Sequence, residues 1–242
     1  PRTTARSVPG CTEGSGRVTD AEIMLAVPTR GAINFNTVRR LMELQDAHPQ
    51  MIFHIEAGGL DVSSVRNKIV KVFLATPAQV LIQVDDDVVP RLTVHEMADS
   101  PYDITGATYY LIRHELNLPF PCAFRKLPTG AYAPIEQPFG RQGLVECDAV
   151  ATGCMAIKRL VFEDPVMKAP FLMTYDEDGV FRMSDDIAFC DRAKAAGYTI
   201  AADYTRHADH VVSGVSLNRM HSQFRDAYRV AAQKVTPKVV LA

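Results

Sequence analysis

Three consecutive carboxylates, Asp85, Asp86 and Asp87, directly follow the apolar segment 80–84. No turn residue separates the acids from the apolar segment, so they belong to the end of a predicted strand. In open α/β sheets ligands bind beyond the carboxyl ends of the strands, where acids face a crevice. Adjacent carboxylates repel each other, and a divalent cation turns that repulsion into attraction. The run therefore predicts a metal site, with a solvated acidic turn as the simpler alternative.

A second acidic pair, Asp185 and Asp186, follows Ser184 at the predicted start of a helix. Carboxylates in this position are favoured by the helix dipole by about 0.3–1 kcal/mol, so a purely local stabilising role is one interpretation. The dipole would also keep both acids ionised at neutral pH. An ionised carboxylate suits a general base better than a general acid, so the pair is a candidate catalytic site.

His207 and His210 follow the predicted strand 198–202. A histidine in a loop is most often simply exposed. A cation bound to a pyrophosphate can nevertheless be completed by one carboxylate and one imidazole, and the nitrogen ligand shifts the preference from magnesium towards manganese. His210 is therefore a candidate metal ligand.

Apolar strands alternate with amphipathic helices through the first half of the chain. The segments 23–27, 51–55 and 80–84 predict strands. The helices between them are predicted to begin at Asn36 and at Ser63 or Ser64. This rhythm is typical of an α/β fold with a mostly parallel central sheet and helices on both faces, as in nucleotide-binding domains.

The second half is less regular. Strands are predicted at 104–110, 144–149 and 198–202, with a short helix near 159–162 and a longer one from Ser184 to Ala196 that Gly197 ends. The proline-rich stretch 111–143 is predicted to be an irregular loop, and long loops in compact domains are often functional.

Composition divides the chain into three parts. Residues 1–20 lack apolar periodicity and predict a flexible leader. Residues 21–216 predict one catalytic domain, and 217–242 predict a basic amphipathic helix and tail, read as an ordinary surface helix in preference to one that binds nucleic acid or a membrane. The apolar content of 47% in 242 residues is enough for a single large core.

Charge and cysteine content exclude several classes. With 26 basic and 28 acidic residues the net charge is −2, which gives no overall attraction to nucleic acid or anionic membranes. The five cysteines are odd in number and form no CxxC pair, which argues against a disulfide framework or a zinc site. No integral membrane segment and no signal peptide is predicted. A cytoplasmic location is expected.

The order of these motifs resembles that of nucleotide-sugar glycosyltransferases of the GT-A fold, most closely the large inverting family 2-like group. The resemblance covers residues 22 to 212. The motifs that carry it are Pro28-Thr29-Arg30, Val65-Arg66-Asn67, Asp85-Asp86-Asp87, Ala151-Thr152-Gly153-Cys154, Ser184-Asp185-Asp186 and His210.

The resemblance implies how a nucleotide-sugar donor and its metal would be held. Asp87, His210 and Asp85 would bind Mn²⁺ or Mg²⁺, and Asp85 would also contact the ribose. The expected donor is a UDP-sugar in preference to a GDP-sugar. The residues implied to contact the donor are Pro28, Thr29, Arg30, Arg66, Asp85, Asp86, Thr152 and Gly153.

The resemblance also implies a catalytic pair, Asp185 and Asp186, with Asp186 as the general base of an inverting transfer. Asp185 stands where the family usually has Glu. Gly153 would let the backbone approach the donor sugar closely. The predicted activity is hexosyl transfer to an acceptor hydroxyl.

Two other functions remain open at the level of sequence, as does retention of configuration. In a nucleotidyltransferase or phosphotransferase, Asp85, Asp87 and Asp186 would hold two cations. An inactive module would keep only the nucleotide-sugar pocket. The acceptor is unknown from the sequence, with a polymer such as modified DNA, a protein or a glycan as the hypothesis, and the oligomeric state is not indicated.

Overall fold

The computed structural model describes residues 17–58, 61–113, 118–135, 142–212 and 215–217. Its centre is a seven-stranded sheet with the strand order β10-β15-β5-β12-β3-β1-β2. The strands, in chain order, are β1 (Ile23–Thr29), β2 (Ile52–Ala57), β3 (Val80–Val84), β4 (Val88–Val89), β5 (Ile104–Ala107), β6 (Tyr110–Arg113), β7 (Leu118–Pro121), β8 (Ala123–Lys126), β9 (Tyr132–Pro134), β10 (Leu144–Glu146), β11 (Ala149–Val150), β12 (Cys154–Lys158), β13 (Thr174–Tyr175), β14 (Phe181–Met183), β15 (Ile200–Asp203), β16 (Asp209–Val212) and β17 (Val215–Leu217).

Helices surround this sheet. The α-helices are α1 (Phe35–Ala47), α2 (Val62–Leu74), α3 (Arg159–Glu163) and α4 (Asp185–Ala195), and short 3₁₀ helices span Asp20–Glu22, Val94–Asp99 and Pro165–Met167. Within the described part of the chain, no helix has both the length and the apolar character needed to cross a membrane.

Strand direction confirms the predicted fold class. Strands β1, β2, β3, β5 and β15 all run in one direction, and only β12 and β10 run against them. The carboxyl ends of β1 and β3 therefore lie next to each other at one edge of the sheet. Every residue of both strands is buried, which fits their nearly continuous apolar sequences.

The predicted helix starts are wrong by two or three residues. Asn34, not Asn36, caps α1, because its side-chain oxygen accepts from the Asn36 backbone N–H at 2.9 Å. Asp61 caps α2 in place of Ser63 or Ser64, because its two carboxylate oxygens accept from the backbone N–H groups of both serines. A carboxylate satisfies two unpaired amides at once, which a serine hydroxyl does not.

The proline-rich stretch is more regular than predicted. Its described residues form the hairpin β6–β7 and the small sheet β11-β8-β9. Pro119 and Pro121 lie in β7, which pairs with β6 alone, and Pro134 lies in β9, which pairs with β8 alone. Proline is tolerated on such edge strands because its missing N–H faces away from the ladder.

Two predicted strands are each divided between sheets. The segment 104–110 forms β5 in the central sheet and the start of β6 in a separate hairpin. The segment 144–149 forms β10, which pairs with β15, and then the start of β11, which pairs with β8. The continuous apolar sequence of both segments predicts that they are buried. It does not indicate where each segment changes from one neighbouring strand to another.

The predicted end segments are only partly described. Arg17 donates from Nε to Asp99 at 3.0 Å, and the Val18 backbone N–H donates to the same carboxylate at 2.8 Å. The last residues of the predicted leader thus contact the domain. Residues 1–16 and the predicted helix beyond Leu217 lie outside the described residues, so the division into three parts stays a prediction.

Arg159 fixes the end of α2, the helix that carries Arg66, against the sheet. Its guanidinium donates to the carbonyls of Leu74, Thr76 and Ala78 at 2.9–3.0 Å. Leu74 is the last residue of α2, and Thr76 and Ala78 lie in the loop between α2 and β3. The carbonyl at a helix end lacks a helical partner, and a cation is favoured there by the helix dipole.

We expect Arg159→Met to lower the free energy of unfolding by about 2 kcal/mol, because it removes charge-assisted hydrogen bonds from several carbonyls together. Urea denaturation measures this. The control is Arg39→Met, which removes an exposed ion pair with Glu43 on α1 and should cost under about 0.5 kcal/mol. Equal losses in the two variants would contradict the role given to Arg159.

Candidate functional site

A buried arginine joins the two acidic motifs. Arg66, on α2, donates from Nη2 to both oxygens of Asp85 at 2.8 and 3.0 Å and from Nη1 to Asp185 at 2.8 Å. Arg66 is 5% exposed and Asp185 is 4% exposed. Burial alone would lower the pKa of Arg66, but the charges of the two carboxylates override it and raise the pKa above its ordinary value. The guanidinium is therefore a fixed cation at the sheet edge.

This arrangement differs from the donor contact expected for Arg66. Both terminal nitrogens are bound to carboxylates, and Nε is buried without a hydrogen-bond partner among the described residues. The resulting geometry gives Arg66 a positioning role. Asp85 directs both oxygens at Arg66, although its side chain remains 25% exposed.

Asp87, two residues after Asp85 in the loop that follows β3, lies next to His210. His210 Nε2 lies 3.3 Å from Asp87 Oδ2, and the two side chains are 13% and 49% exposed. The pairing of β4 with β16 places them together, with Val88 opposite His210. The backbone N–H of Val211 also donates to the Asp87 carbonyl at 2.8 Å. The acid and the imidazole, distant in sequence, are held side by side.

His210 is oriented in the way that metal-binding histidines usually are. Its Nδ1 lies 3.2 Å from the Tyr110 carbonyl, so that nitrogen donates its proton and Nε2 faces the carboxylate. Burial opposes a charge on His210, but the Asp87 carboxylate outweighs it and raises the pKa of the imidazole. An oxygen and a nitrogen donor at this spacing fit a divalent cation. Over the described ranges, no group of three or more His, Cys, Asp or Glu side chains is arranged to hold a metal ion.

Asp86 points back towards the loop after β1. Burial raises the pKa of Asp86, the hydroxyl of Thr29 and the backbone N–H of Arg30 oppose that rise by hydrogen bonding, and the charges of Asp87 and Asp85 add to it. The Asn34 backbone N–H also donates to the Asp86 carbonyl at 2.8 Å. The acidic run therefore holds the β1 loop in place.

The residues of the β1 loop differ in exposure. Pro28 and Thr29 are buried, and Arg30 is exposed. Thr29 accepts from the Gly31 backbone N–H at 3.1 Å and donates to the Ala32 carbonyl at 3.2 Å. Of these predicted donor contacts, Arg30 alone presents its side chain openly to a ligand.

Asp186 begins α4 and is anchored through one oxygen. Its Oδ1 accepts from the Ser184 hydroxyl and, at 2.8 Å, from the Ile187 backbone N–H. None of the described residues donates to Oδ2. One oxygen is thus fixed, and the other is left to act on a ligand.

Burial raises the pKa of Asp186, and the negative charge of Asp185 adds to that rise. The Ser184 hydroxyl, Arg66 and the Ile187 amide lower the pKa but do not cancel the effect of burial. From the sequence, the helix dipole was predicted to favour the ionised form of Asp186. The net direction is the opposite, because the position is more enclosed than an ordinary helix N-terminus.

The Cβ side of Gly153 is occupied by Tyr109. A Cβ at this position would overlap the ring of Tyr109, and the Gly153 backbone N–H donates to the Tyr109 hydroxyl at 3.0 Å. The packing of Tyr109 is thus one reason for a glycine here, and the contact of Gly153 with a donor sugar stays a prediction. Thr152 is 3% exposed. The Gly153 carbonyl accepts from the Asp85 backbone N–H at 2.9 Å and supports the acidic loop.

Tyr109 is the main site residue that the sequence analysis missed. It is buried, and its ring packs edge-on against the ring of His210 at 5.6 Å between centroids. Burial raises its pKa, and the charges of Asp85 and Asp186 contribute to the same direction. Tyr109 therefore contacts His210 and Gly153 and is close enough to Asp85 and Asp186 to be influenced by their charges. The sequence placed Tyr109 inside the predicted strand 104–110 and gave no sign of a role in the site.

Comparisons with protein-family models and with curated protein sequences found no match. Among solved structures, A197 from STIV is similar at a TM-score of 0.57 and 18% identity, over 82% of this chain and 90% of that one. This similarity concerns the fold. It agrees with the strand order in showing an α/β fold with a mostly parallel central sheet, so the α/β architecture expected from the sequence is confirmed.

Enzymes that handle nucleotide sugars are among the more distant matches. GalNAc-T7, crystallised with UDP, GalNAc and Mn²⁺, matches at a TM-score of 0.46 and 13% identity, over 87% of this chain and 42% of that one. UDP-glucose pyrophosphorylase with UDP-glucose matches at 0.42 and 10%, over 88% and 99%. At these identities the similarity concerns the fold alone.

We expect Arg66→Met to lower the free energy of unfolding by about 3–5 kcal/mol, because it leaves Asp185 as a buried charge without a partner. Adding Asp185→Asn should restore part of the loss, since the uncompensated charge is then gone. Urea denaturation of the two single variants and the double variant measures the coupling. Additive losses would contradict a buried ion pair.

Proposed function

We propose that this protein is a metal-dependent glycosyltransferase that moves a sugar from a nucleotide-sugar donor to an acceptor hydroxyl. The observation that carries the proposal is the arrangement at the sheet edge. A carboxylate–imidazole pair, in which Asp87 is half exposed and His210 is mostly buried, occurs in the same site as an anchored carboxylate, Asp186, whose second oxygen accepts from none of the described residues. Such a site can bind a diphosphate through a cation and accept a proton nearby.

Asp87 and His210 would hold the cation, and the diphosphate and water would complete its coordination. The cation would stabilise the negative charge of the departing nucleoside diphosphate. The imidazole ligand favours Mn²⁺ over Mg²⁺. The Tyr110 carbonyl keeps the His210 ring oriented, which is the supporting role that second partners of metal-bound histidines play.

The donor would lie across the ends of β1 and β3. Arg30 is free to bind phosphate or base, and Asp85 would accept from the ribose while Arg66 holds its carboxylate. Asp86 and Thr29 would act indirectly by fixing the β1 loop. The expected nucleotide of the donor is UDP, with GDP as the alternative.

Asp186 would be the general base. Its anchored Oδ1 fixes the direction of Oδ2, which would take the proton from the attacking hydroxyl as the new glycosidic bond forms. Direct attack on the face opposite the leaving group inverts the configuration at the sugar carbon. Asp185, bound to Arg66, would keep the start of α4 at a fixed position relative to Asp87 and His210.

The geometry favours glycosyl transfer over two-metal nucleotidyl transfer. A two-metal site would place a cation on Asp85, directly beside the guanidinium of Arg66, whose positive charge repels it. The two reactions also differ in product, because a nucleotidyltransferase releases pyrophosphate and a glycosyltransferase releases a nucleoside diphosphate.

We expect the wild-type protein to bind UDP and UDP-sugars more tightly with Mn²⁺ than with EDTA, and Asp87→Ala or His210→Ala to abolish the difference. Isothermal titration calorimetry measures this, and loss of a metal ligand should weaken binding by at least about 10–100-fold. The control is His48→Ala, which breaks a similar pair with Asp20 at 2.9 Å. Equal affinity for UDP in Mn²⁺ and in EDTA would contradict a role for the metal in donor binding.

We expect kcat/KM for donor hydrolysis or transfer to fall at low pH as Asp186 becomes protonated. The midpoint should lie above the ordinary aspartate value because burial raises this pKa. Ser184→Ala removes a hydrogen bond that lowers the pKa, so its midpoint should move to still higher pH. Asp186→Asn should lose about 10²–10⁴-fold in kcat while donor affinity is kept. A midpoint unchanged in Ser184→Ala would contradict the assignment of the base.

A further inference from the structure

An exposed apolar hairpin leads directly into the proposed base. Strands β13 and β14 pair antiparallel, with Tyr175 opposite Phe181, and Asp186 follows Phe181 by five residues. Five large apolar side chains in and next to this hairpin are 40–60% exposed: Leu172, Met173, Tyr175, Val180 and Phe181. Contiguous exposed apolar surface of this kind marks an interaction site more often than it serves the fold.

Three of the exposed side chains form a cluster around Tyr175. The rings of Tyr175 and Phe181 are in edge-to-face contact with centroids 6.2 Å apart. The Tyr175 hydroxyl also lies 3.7 Å from the sulfur of Met173. Aromatic residues and methionine are enriched where proteins bind other polypeptides. The exposed aliphatic side chains of the same segment, Leu172 and Val180, are less suited to a sugar, which stacks on aromatic faces.

The turn of the hairpin is rigid and acidic. The Asp176 carboxylate accepts from the backbone N–H groups of Asp178 and Val180 at 3.1 and 2.8 Å. Gly179 has a φ of +76°, which completes the turn. Glu177 and Asp178 are left exposed. Their charges repel phosphate groups, so nucleic acid and anionic lipid are disfavoured here and basic groups are attracted.

The hairpin also offers unpaired backbone. In the described part of the chain β13 and β14 form a sheet of their own, so each strand has an open edge. An extended polypeptide can add to such an edge by main-chain hydrogen bonds. Glycans and lipids have no matching ladder of donors and acceptors.

The distance to the base is short enough for this surface to present an acceptor. Five residues of extended chain span at most about 17 Å, so Phe181 lies within that distance of Asp186. A polypeptide lying on the hairpin can therefore place one of its side chains near the free oxygen of Asp186.

We propose that the β13–β14 hairpin binds the acceptor, and that the acceptor is an extended polypeptide segment in which apolar and basic residues flank a Ser or Thr. This inference rests on the proposed function for its catalytic part. The apolar cluster would take the apolar side chains, Glu177 and Asp178 would take the basic ones, and the hydroxyl would face Asp186.

The test uses a library of peptides with a fixed central Ser or Thr and randomised flanks, applied to the full chain with UDP and Mn²⁺ present. We expect bound peptides to be enriched in Leu, Phe, Lys and Arg and depleted of Asp and Glu. The double variant Tyr175→Ser, Phe181→Ser should bind the tightest-binding peptide at least about tenfold more weakly, because it loses paired aromatic anchors. Glu177→Gln with Asp178→Asn should weaken it less and reduce its salt dependence.

The matched control is Leu160→Ser on α3, a side chain that is 48% exposed and lies by Arg159 at the opposite end of the sheet. It should leave peptide binding unchanged, and circular dichroism confirms that each variant is folded. A neutral oligosaccharide and vesicles containing anionic lipid are tested in parallel. Binding of either in place of peptides, or equal loss in Leu160→Ser, overturns the inference.

Calorimetric titration of UDP with Mn²⁺ into every variant separates the two proposals. Donor binding that survives while no peptide binds removes the polypeptide acceptor and leaves the glycosyltransferase proposal standing. Peptide binding at the hairpin in a protein that binds no donor removes the glycosyltransferase proposal and leaves a peptide-binding surface. Loss of donor binding in the hairpin variants contradicts the separation of acceptor and donor sites.

Discussion

The double ion pair of Arg66 with Asp85 and Asp185 determines how the candidate site is assembled. The three side chains come from α2, the loop after β3 and the start of α4. A guanidinium is suited to this junction because its planar fork binds two carboxylates at fixed angles, which a lysine ammonium does not. Removing such charges from water is costly, and only the complete triad offsets that cost. The acidic loop and the helix carrying Asp186 therefore cannot shift independently.

Backbone contacts extend this constraint to the rest of the site. The Asp85 backbone is bonded to Gly153, the Asp86 carbonyl to Asn34, and the Asp87 carbonyl to Val211. Each residue of the acidic run thus ties a different segment to the end of β3. The three acids therefore have different roles, because each is bonded to a different segment of the chain. The Asp87 side chain is 49% exposed and can reach a ligand.

Much of this arrangement could be predicted from the sequence. The strands that end at Thr29 and Val84 are continuous apolar runs, and such runs specify buried parallel strands by themselves. The proximity of Asp87 to His210 was implied by the family resemblance, whereas the hydrogen bond from Ser184 to Asp186 was not predicted.

The features that the sequence did not predict depend mostly on contacts between distant segments. The sequence near Gly153 carries no sign that Tyr109 fills the adjacent space. The raised pKa of Asp186 depends on enclosure by other segments, whereas the dipole of its own helix is a local property. The capping by Asn34 and Asp61 was missed because several residues near each helix start were chemically able to cap it, and backbone geometry made the choice.

The pairing of β4 with β16 has a consequence for how the protein is made. Asp87 and His210 are 123 residues apart in the chain, and Arg66 and Asp185 are 119 apart. Contacts of such long range form late in folding because a large loop must close first. During synthesis, the chain must emerge from the ribosome as far as His210 before this pair can form. A nascent chain therefore lacks the assembled candidate site until nearly all of the described fold has emerged.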